Sequence, residues 1–158
     1  MTAKFEIPMA LRAAYLALHR RSEARFAEHG VTADQFVLLA TLSRGRSLTQ
    51  RELARRMPSD PSTVRAMLVL LEKQGLVQRD AHPTDGRART VALTAAGTHK
   101  FRQLWKAGES IRAEMFGSIQ PDEAEILVRL LTQVAETLNG ECVTTGASTA
   151  RQTQRDET

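Results

Sequence analysis

The chain contains one cysteine, Cys142, so an internal disulfide is excluded and a reducing compartment fits. Aromatic residues make up only 4%. That is too few for an aromatic-rich sheet and favours a core of Leu, Val, Ile, Ala and Met. No apolar run approaches the roughly 18 residues that a membrane helix needs. The opening MTAKFEIPMALRAAY does not have the layout of a signal peptide, so the expectation is a cytoplasmic protein with no membrane partner. The four histidines (His19, His29, His82 and His99) are scattered without ligand spacing, and the folded part offers no thiolate. No metal or cofactor is therefore expected. No nucleophile–base pair suggests itself, and the chain is not read as an enzyme. Internal repeats are also absent.

What is present is an ordinary soluble composition, 42% hydrophobic and 25% charged, in 158 residues. The formal net charge is +4, but its distribution says more. Residues 44–89 hold ten Arg and Lys (Arg44, Arg46, Arg51, Arg55, Arg56, Arg65, Lys73, Arg79, Arg87, Arg89) against five acids, a net +5. A localised basic segment is the footprint of a nucleic-acid binder, although a merely solvated face has the same signature.

Hydrophobic spacing and start signals divide the chain into helices with one hairpin. Leu11, Ala14, Tyr15 and Leu18 predict an amphipathic helix over about 8–28, ended by Gly30. Thr32 with Gln35, and Thr49 with Glu52, each have the three-residue spacing of a capping box. The helix after Thr32 should bury Phe36, Leu39, Ala40 and Leu42, and the helix after Thr49 should bury Leu53 and Met57. Asp60 followed by Pro61 is a cap with proline at the first helical position. Val64, Met67, Leu68 and Leu71 then fall on one face, and Gly75 terminates this helix. LVQRD, the break HPTDG and RARTVAL read as a two-stranded hairpin with a basic tip. Thr94 caps a long fifth helix with Phe101, Leu104, Trp105, Ile111 and Met115. A sixth after Pro121 carries Leu127, Leu130, Leu131, Val134 and Leu138. Residues 139–158 have almost nothing to bury and are expected to be a disordered tail.

The fold class that follows is mainly α with a small β-hairpin wing: a winged helix-turn-helix over about 32–94, within one domain of residues 1–138. The tight turn is MPSD at Met57–Asp60. The flanking helices, about 8–28 and 95–138, have more apolar surface than a small core can use. Their leftover faces are expected to pack against a second copy, making a homodimer. In double-stranded DNA, the start of the fourth helix would lie in the major groove. Ser62, Thr63, Arg65 and Ala66, with Val69 further along, would then face the base edges. Arg pairs with guanine, Ser and Thr donate or accept, and Ala touches a thymine methyl. At the wing, Arg87 suits the narrow minor groove, with Arg89 two residues on and Asp85 placed to pair with Arg87 and aim it. Thr49, Gln50 and Arg51 are placed to hold phosphates at a helix start. A helix start, a solvated arginine or a partly buried Ala66 or Val69 is the plainer explanation of each. Arg55 and Arg56 read first as a solvated face.

The run SLTQRELARRM, DPSTVRAMLVLLEKQGLVQRD and HPTDGRARTVALTAAG resembles the MarR family of bacterial regulators. Asp85–Gly86–Arg87 matches the family's Asp-x-Arg wing, Val91 to Gly97 its V-x-L-T-x-x-G, and Leu71 to Val77 its L-E-x-x-G-L-V. The similarity spans about residues 8–138. It implies a triangular dimer joined through terminal helices, acting on a pseudo-palindromic operator as a repressor or activator. Release would come from a small molecule, often a phenolic or aromatic acid, or from oxidation. The implied effector crevice lies between the dimerisation helices and the DNA-binding unit. Arg12, Tyr15 and His19 would supply a cation and two hydrogen-bonding rings there, and Phe101 and Trp105 an apolar wall. The same residues also read as dimer packing. Oxidation sensing has little support, since Cys142 lies beside the tail. Two other readings stay open: a constitutive architectural DNA binder without an effector, and a winged-helix interaction module that does not bind DNA.

Overall fold

Four helices in this chain begin where a side-chain oxygen accepts the amide three residues on. The computed structural model describes residues 2–45 and 47–140. The expected tail from residue 141 onward, with Cys142, lies outside the described residues. The described elements run α1 (Ala3–Ala27), α2 (Ala33–Leu42), β1 (Leu48–Thr49), α3 (Gln50–Arg56), α4 (Pro61–Lys73), β2 (Val77–Ala81), β3 (Arg89–Leu93), α5 (Ala95–Ala107), α6 (Glu109–Gly117) and α7 (Pro121–Leu138). The chain divides into two compact units, one up to Glu114 and one from Met115 onward.

All four expected caps are made. Thr32 and Gln35 exchange hydrogen bonds of 3.0 Å in both directions at the start of α2. Thr49 and Glu52 do the same at α3, at 2.8 and 3.1 Å. Asp60 accepts from the Thr63 amide at 3.0 Å, with Pro61 at the first helical position of α4. Thr94 Oγ1 accepts from the Gly97 amide at 3.0 Å. Each satisfies amides that an α-helix leaves without an internal partner.

The core of the first unit is built mainly from α2, α3, α4 and the strands. Leu38, Leu39, Leu53, Val64, Leu68, Leu71, Val91 and Leu104 are fully buried. Leu38 and Ala54 are buried although the expected apolar faces did not include them, while Phe36, Ala40 and Met57 are only half-buried. A short α2 surrounded by several elements buries more than one stripe.

Three expectations about the elements are corrected. The sheet has three strands in the order β1-β3-β2, because Leu48 and Thr49 pair with Val91 and Thr90. Two residues give no periodicity, so only the long-range pairing reveals β1. The hairpin register runs from Val77↔Leu93 to Ala81↔Arg89. The long fifth helix is two, α5 and α6, separated at the buried Gly108. A β-carbon on Gly108 would lie 3.5 Å from the Phe26 ring and 3.0 Å from Arg112 Nη1. Finally, α1 begins well before residue 8 and contains Pro8. The amides of Phe5 and Glu6 both bond to the Thr2 carbonyl, at 2.9 and 3.3 Å. The first turn is therefore closed before the proline withholds its donor. No described helix is long and apolar enough to cross a membrane.

Candidate nucleic-acid interface

On α4, burial separates two faces cleanly. Val64, Met67, Leu68 and Leu71 are buried, while Ser62, Thr63, Arg65, Ala66 and Val69 are exposed. Val69 is 52% exposed, so it and Ala66 are available to a partner rather than to the core. Thr63 is less free than its exposure suggests. Its hydroxyl donates to Asp60 Oδ2 while its amide bonds to Oδ1, leaving the hydroxyl oxygen to act as an acceptor. The Thr63 hydroxyl and amide both hold the Asp60 carboxyl below its ordinary pKa, so the cap is anionic at neutral pH.

The start of α3 serves mainly to hold the turn. Thr49 is half-buried in its capping box, and the Thr49 amide is the leading cause of a depressed Glu52 pKa. Gln50 Nε2 donates to the Pro61 carbonyl at 3.3 Å, so its amide ties α3 to the start of α4. Arg51 is exposed, as are Arg55 and Arg56. Glu72, in the last turn of α4, pairs with Arg79 Nε of β2 at 2.7 Å. This bridge from recognition helix to wing was not foreseen, although both residues lie in the motif-bearing run.

The wing tip spans residues 82–88, between β2 and β3, with Asp85, Arg87 and Arg89 all exposed. The expected Asp85–Arg87 ion pair is not among those of the described residues. Asp85 Oδ1 instead accepts the backbone amide of Arg87 at 3.0 Å. A carboxylate two residues before an amide closes a local ring more readily than it reaches a long exposed guanidinium. Asp85 thus orders the loop and leaves the Arg87 head free.

Below this region, a cleft of about 200 Å³ is lined by Tyr15, His19, Phe36, Trp105 and Arg112, among others. The structure brings Tyr15, His19 and Trp105 of the expected set together, with the Tyr15 and His19 rings stacked at 5.6 Å. It corrects two others. Arg12 is exposed and does not line the cleft, because its turn of α1 lies beyond the cleft's end. Phe101 lies behind the wall, its ring 6.0 Å from both Phe36 and Trp105. The cation in the cleft is Arg112, stacked 3.7 Å from the Trp105 ring centre. Its Nη2 donates to the Trp105 carbonyl and to Glu109, each at 2.6 Å. The seven-residue interval from Trp105 to Arg112 was the available clue, obscured by the break at Gly108. Among the described residues, no cluster of three His, Cys, Asp or Glu is arranged to hold a metal ion.

Comparisons with known proteins agree with this geometry. Residues 31–88 match the model of the MarR family. The chain is 30% identical over 135 residues to the transcriptional repressor MdtR of Bacillus subtilis, covering 84% of this chain and 87% of that protein. A probable transcriptional regulator of Pseudomonas aeruginosa superposes with a TM-score of 0.64 at 30% identity, covering 81% of this chain and 96% of its own. An Escherichia coli MarR mutant complexed with operator DNA superposes at 0.72 with 25% identity, covering 85% and 99%.

Proposed function

The chain belongs to the MarR family, and from that premise we propose that it is a transcriptional repressor that binds a pseudo-palindromic DNA operator as a homodimer. The observation that carries the reading is the division of α4 into a fully committed core face and an exposed face of Ser62, Thr63, Arg65, Ala66 and Val69. In the major groove, Arg65 would read guanine, while Ala66 and Val69 meet thymine methyls. Arg87 and Arg89 at the wing would take the adjacent minor groove, and Thr49, Gln50 and Arg51 would lie against phosphate. Gln50 and Thr49 would act there chiefly as the frame for Arg51.

Dimerisation would fix the spacing of the two recognition helices. Each unit offers an exposed apolar set for it, the first on α1 (Phe5, Ile7, Met9, Leu16) and the second on α7 (Leu127, Leu130, Leu131). The second part of the reading is control by a small effector in the Tyr15–His19–Trp105–Arg112 cleft. Its volume is below the roughly 300–1,000 Å³ of common ligand pockets, so an aromatic acid of about one ring fits it best. A ligand carboxylate would compete for the Arg112 guanidinium, and the ring would stack against Trp105. Coupling to DNA binding is expected at about 1–3 kcal/mol.

Selection of bound sequences from a random duplex library, at moderate and raised salt, tests the reading. A palindrome with half-sites about one helical turn apart is expected. In the same selection, Arg65→Ala should lose preference at one base position, worth about 1–3 kcal/mol. Release of the selected operator by single-ring aromatic acids would establish the effector. Salt-sensitive binding without any enriched sequence would replace this reading with an architectural DNA binder.

A further inference from the structure

One histidine is engaged in the wing in a way that neither the helices nor the cleft accounts for. His82 is the first residue after β2, and its half-buried imidazole faces into the tip. Its Nδ1 accepts the backbone amides of Thr84 at 3.2 Å and Asp85 at 3.0 Å. From there the bonds continue without a gap. Asp85 Oδ1 takes the Arg87 amide, the Asp85 carbonyl takes the Ala88 amide at 3.2 Å, and the Ala88 carbonyl takes the His82 amide at 3.1 Å. The backbone of Arg87 is thus two steps removed from the imidazole.

We propose that His82 is a positioning residue for Arg87, its unprotonated Nδ1 serving as the acceptor around which the wing tip is folded. This rests on the reading of Arg87 as a DNA contact. Two converging N–H groups require a bare nitrogen, so the neutral ring carries its proton on Nε2. In this role Nδ1 does what the side-chain oxygen of asparagine does in an Asx turn, at the same remove from the backbone. An imidazolium would turn a third N–H toward those two donors, and both bonds would be lost.

The charged residues near His82 in sequence are Asp80 in β2, Asp85 and Arg87 in the tip, and Arg89 at the start of β3. None of these four makes an ion pair among the described residues. Glu72 of α4 is occupied by Arg79, and Asp80 accepts from Gln78 Nε2 at 3.4 Å. The tip's order therefore depends on the Nδ1 bonds and the Asp85 carboxylate.

The test measures DNA affinity for wild type, His82→Asn, His82→Ala, Arg87→Ala and the His82→Ala/Arg87→Ala double variant. The probe is the selected operator or, failing one, a random-sequence duplex. Amide exchange of Thr84 and Asp85 is followed by NMR on the same proteins without DNA. His82→Ala should bind about five-fold more weakly, as expected for loss of two modest hydrogen bonds, and His82→Asn within about two-fold of wild type. His82→Ala should add nothing to Arg87→Ala. The Thr84 and Asp85 amides should be protected in wild type and His82→Asn and exposed in His82→Ala. Full affinity of His82→Ala alongside a weakened Arg87→Ala would overturn the proposal, as would strictly additive losses. Equal losses in His82→Asn and His82→Ala would overturn the acceptor role and make His82 a direct DNA contact instead. Failure of wild type to bind any duplex would strike the DNA reading itself. The amide exchange would then still decide whether Nδ1 holds the tip.

Discussion

The leucines of the winged unit and those of α7 meet opposite fates. Leu38, Leu39, Leu53, Leu68, Leu71 and Leu104 have no measurable exposure. Leu127, Leu130 and Leu131 are each at least 40% exposed, and no residue of α7 is buried. The residue type is the same and the helical spacing is equally regular, so propensity does not explain the difference. In the winged unit, the buried apolar faces find their partners within the same chain, although Val37, Val69 and Leu70 stay exposed. The α7 stripe is left uncovered among the described residues, and fully burying one such side chain is worth about 1.5–3 kcal/mol. A run of half-exposed leucines that costs solubility persists where something covers it.

The comparison can be broken most forcefully from the winged side. Gly97 is buried in the first turn of α5, and a β-carbon there would lie 1.9 Å from the Leu76 carbonyl oxygen. That carbonyl already accepts the Thr94 amide at 3.1 Å, and Thr94 Oγ1 donates to the Gly75 carbonyl at 2.6 Å. Backbone meets backbone here, with no flexible side chain to yield. Gly97→Ala should destabilise the protein by about 3 kcal/mol, the upper end for overpacking, and lower the melting temperature by roughly 10 °C. An unchanged melting curve would show that the winged unit is less tightly determined than its burial indicates.

Breaking the other side should leave the winged unit folded. Leu127→Glu with Leu131→Glu places two charges on the exposed stripe of α7. If a second copy covers that stripe, the dimer dissociation constant should rise at least about 100-fold, which is about 2.7 kcal/mol. Sedimentation velocity reads the mass, and circular dichroism checks that the helices remain. Operator affinity should fall with the loss of the dimer, while the winged unit's own sequence preference persists in the selection. A wild-type monomer at micromolar concentration would remove the homodimer from the proposal.

The same contrast explains what could be read from the sequence. Capping boxes depend on residues three apart and the Asp60–Pro61 start on adjacent ones, so Thr32–Gln35, Thr49–Glu52 and the Asp60 cap were visible and are made as expected. The wing was visible from its alternation and its Asp-x-Arg. What escaped depended on distant partners. β1 exists because Val91 and Thr90 pair with it, and α5 ends at Gly108, a site crowded by Phe26 and Arg112. Arg112 replaced Arg12 as the cleft's cation because which turn of α1 reaches the cleft is set by packing, not spacing. Asp85 misled differently: its charge suggested a guanidinium partner, whereas a local amide was closer.

The smallest effect expected sharpens the winged side alone, through the acids that start its helices. Glu52 and Asp60 both have depressed pKa values in the folded state, through the Thr49 amide in one case and the Thr63 hydroxyl in the other. Between the folded and unfolded values, the unfolded chain binds more protons, so stability rises with pH there. The contribution is complete above the ordinary carboxylate range and fades as pH falls through the folded values. Glu52→Gln with Asp60→Asn keeps an oxygen acceptor at each cap and removes the titration. This variant should melt close to wild type at neutral pH and lose less on acidification, giving a shallower acid limb in a plot of melting temperature against pH. Parallel acid limbs would mean that the two caps stabilise by geometry alone, and that the acid sensitivity of the fold arises elsewhere.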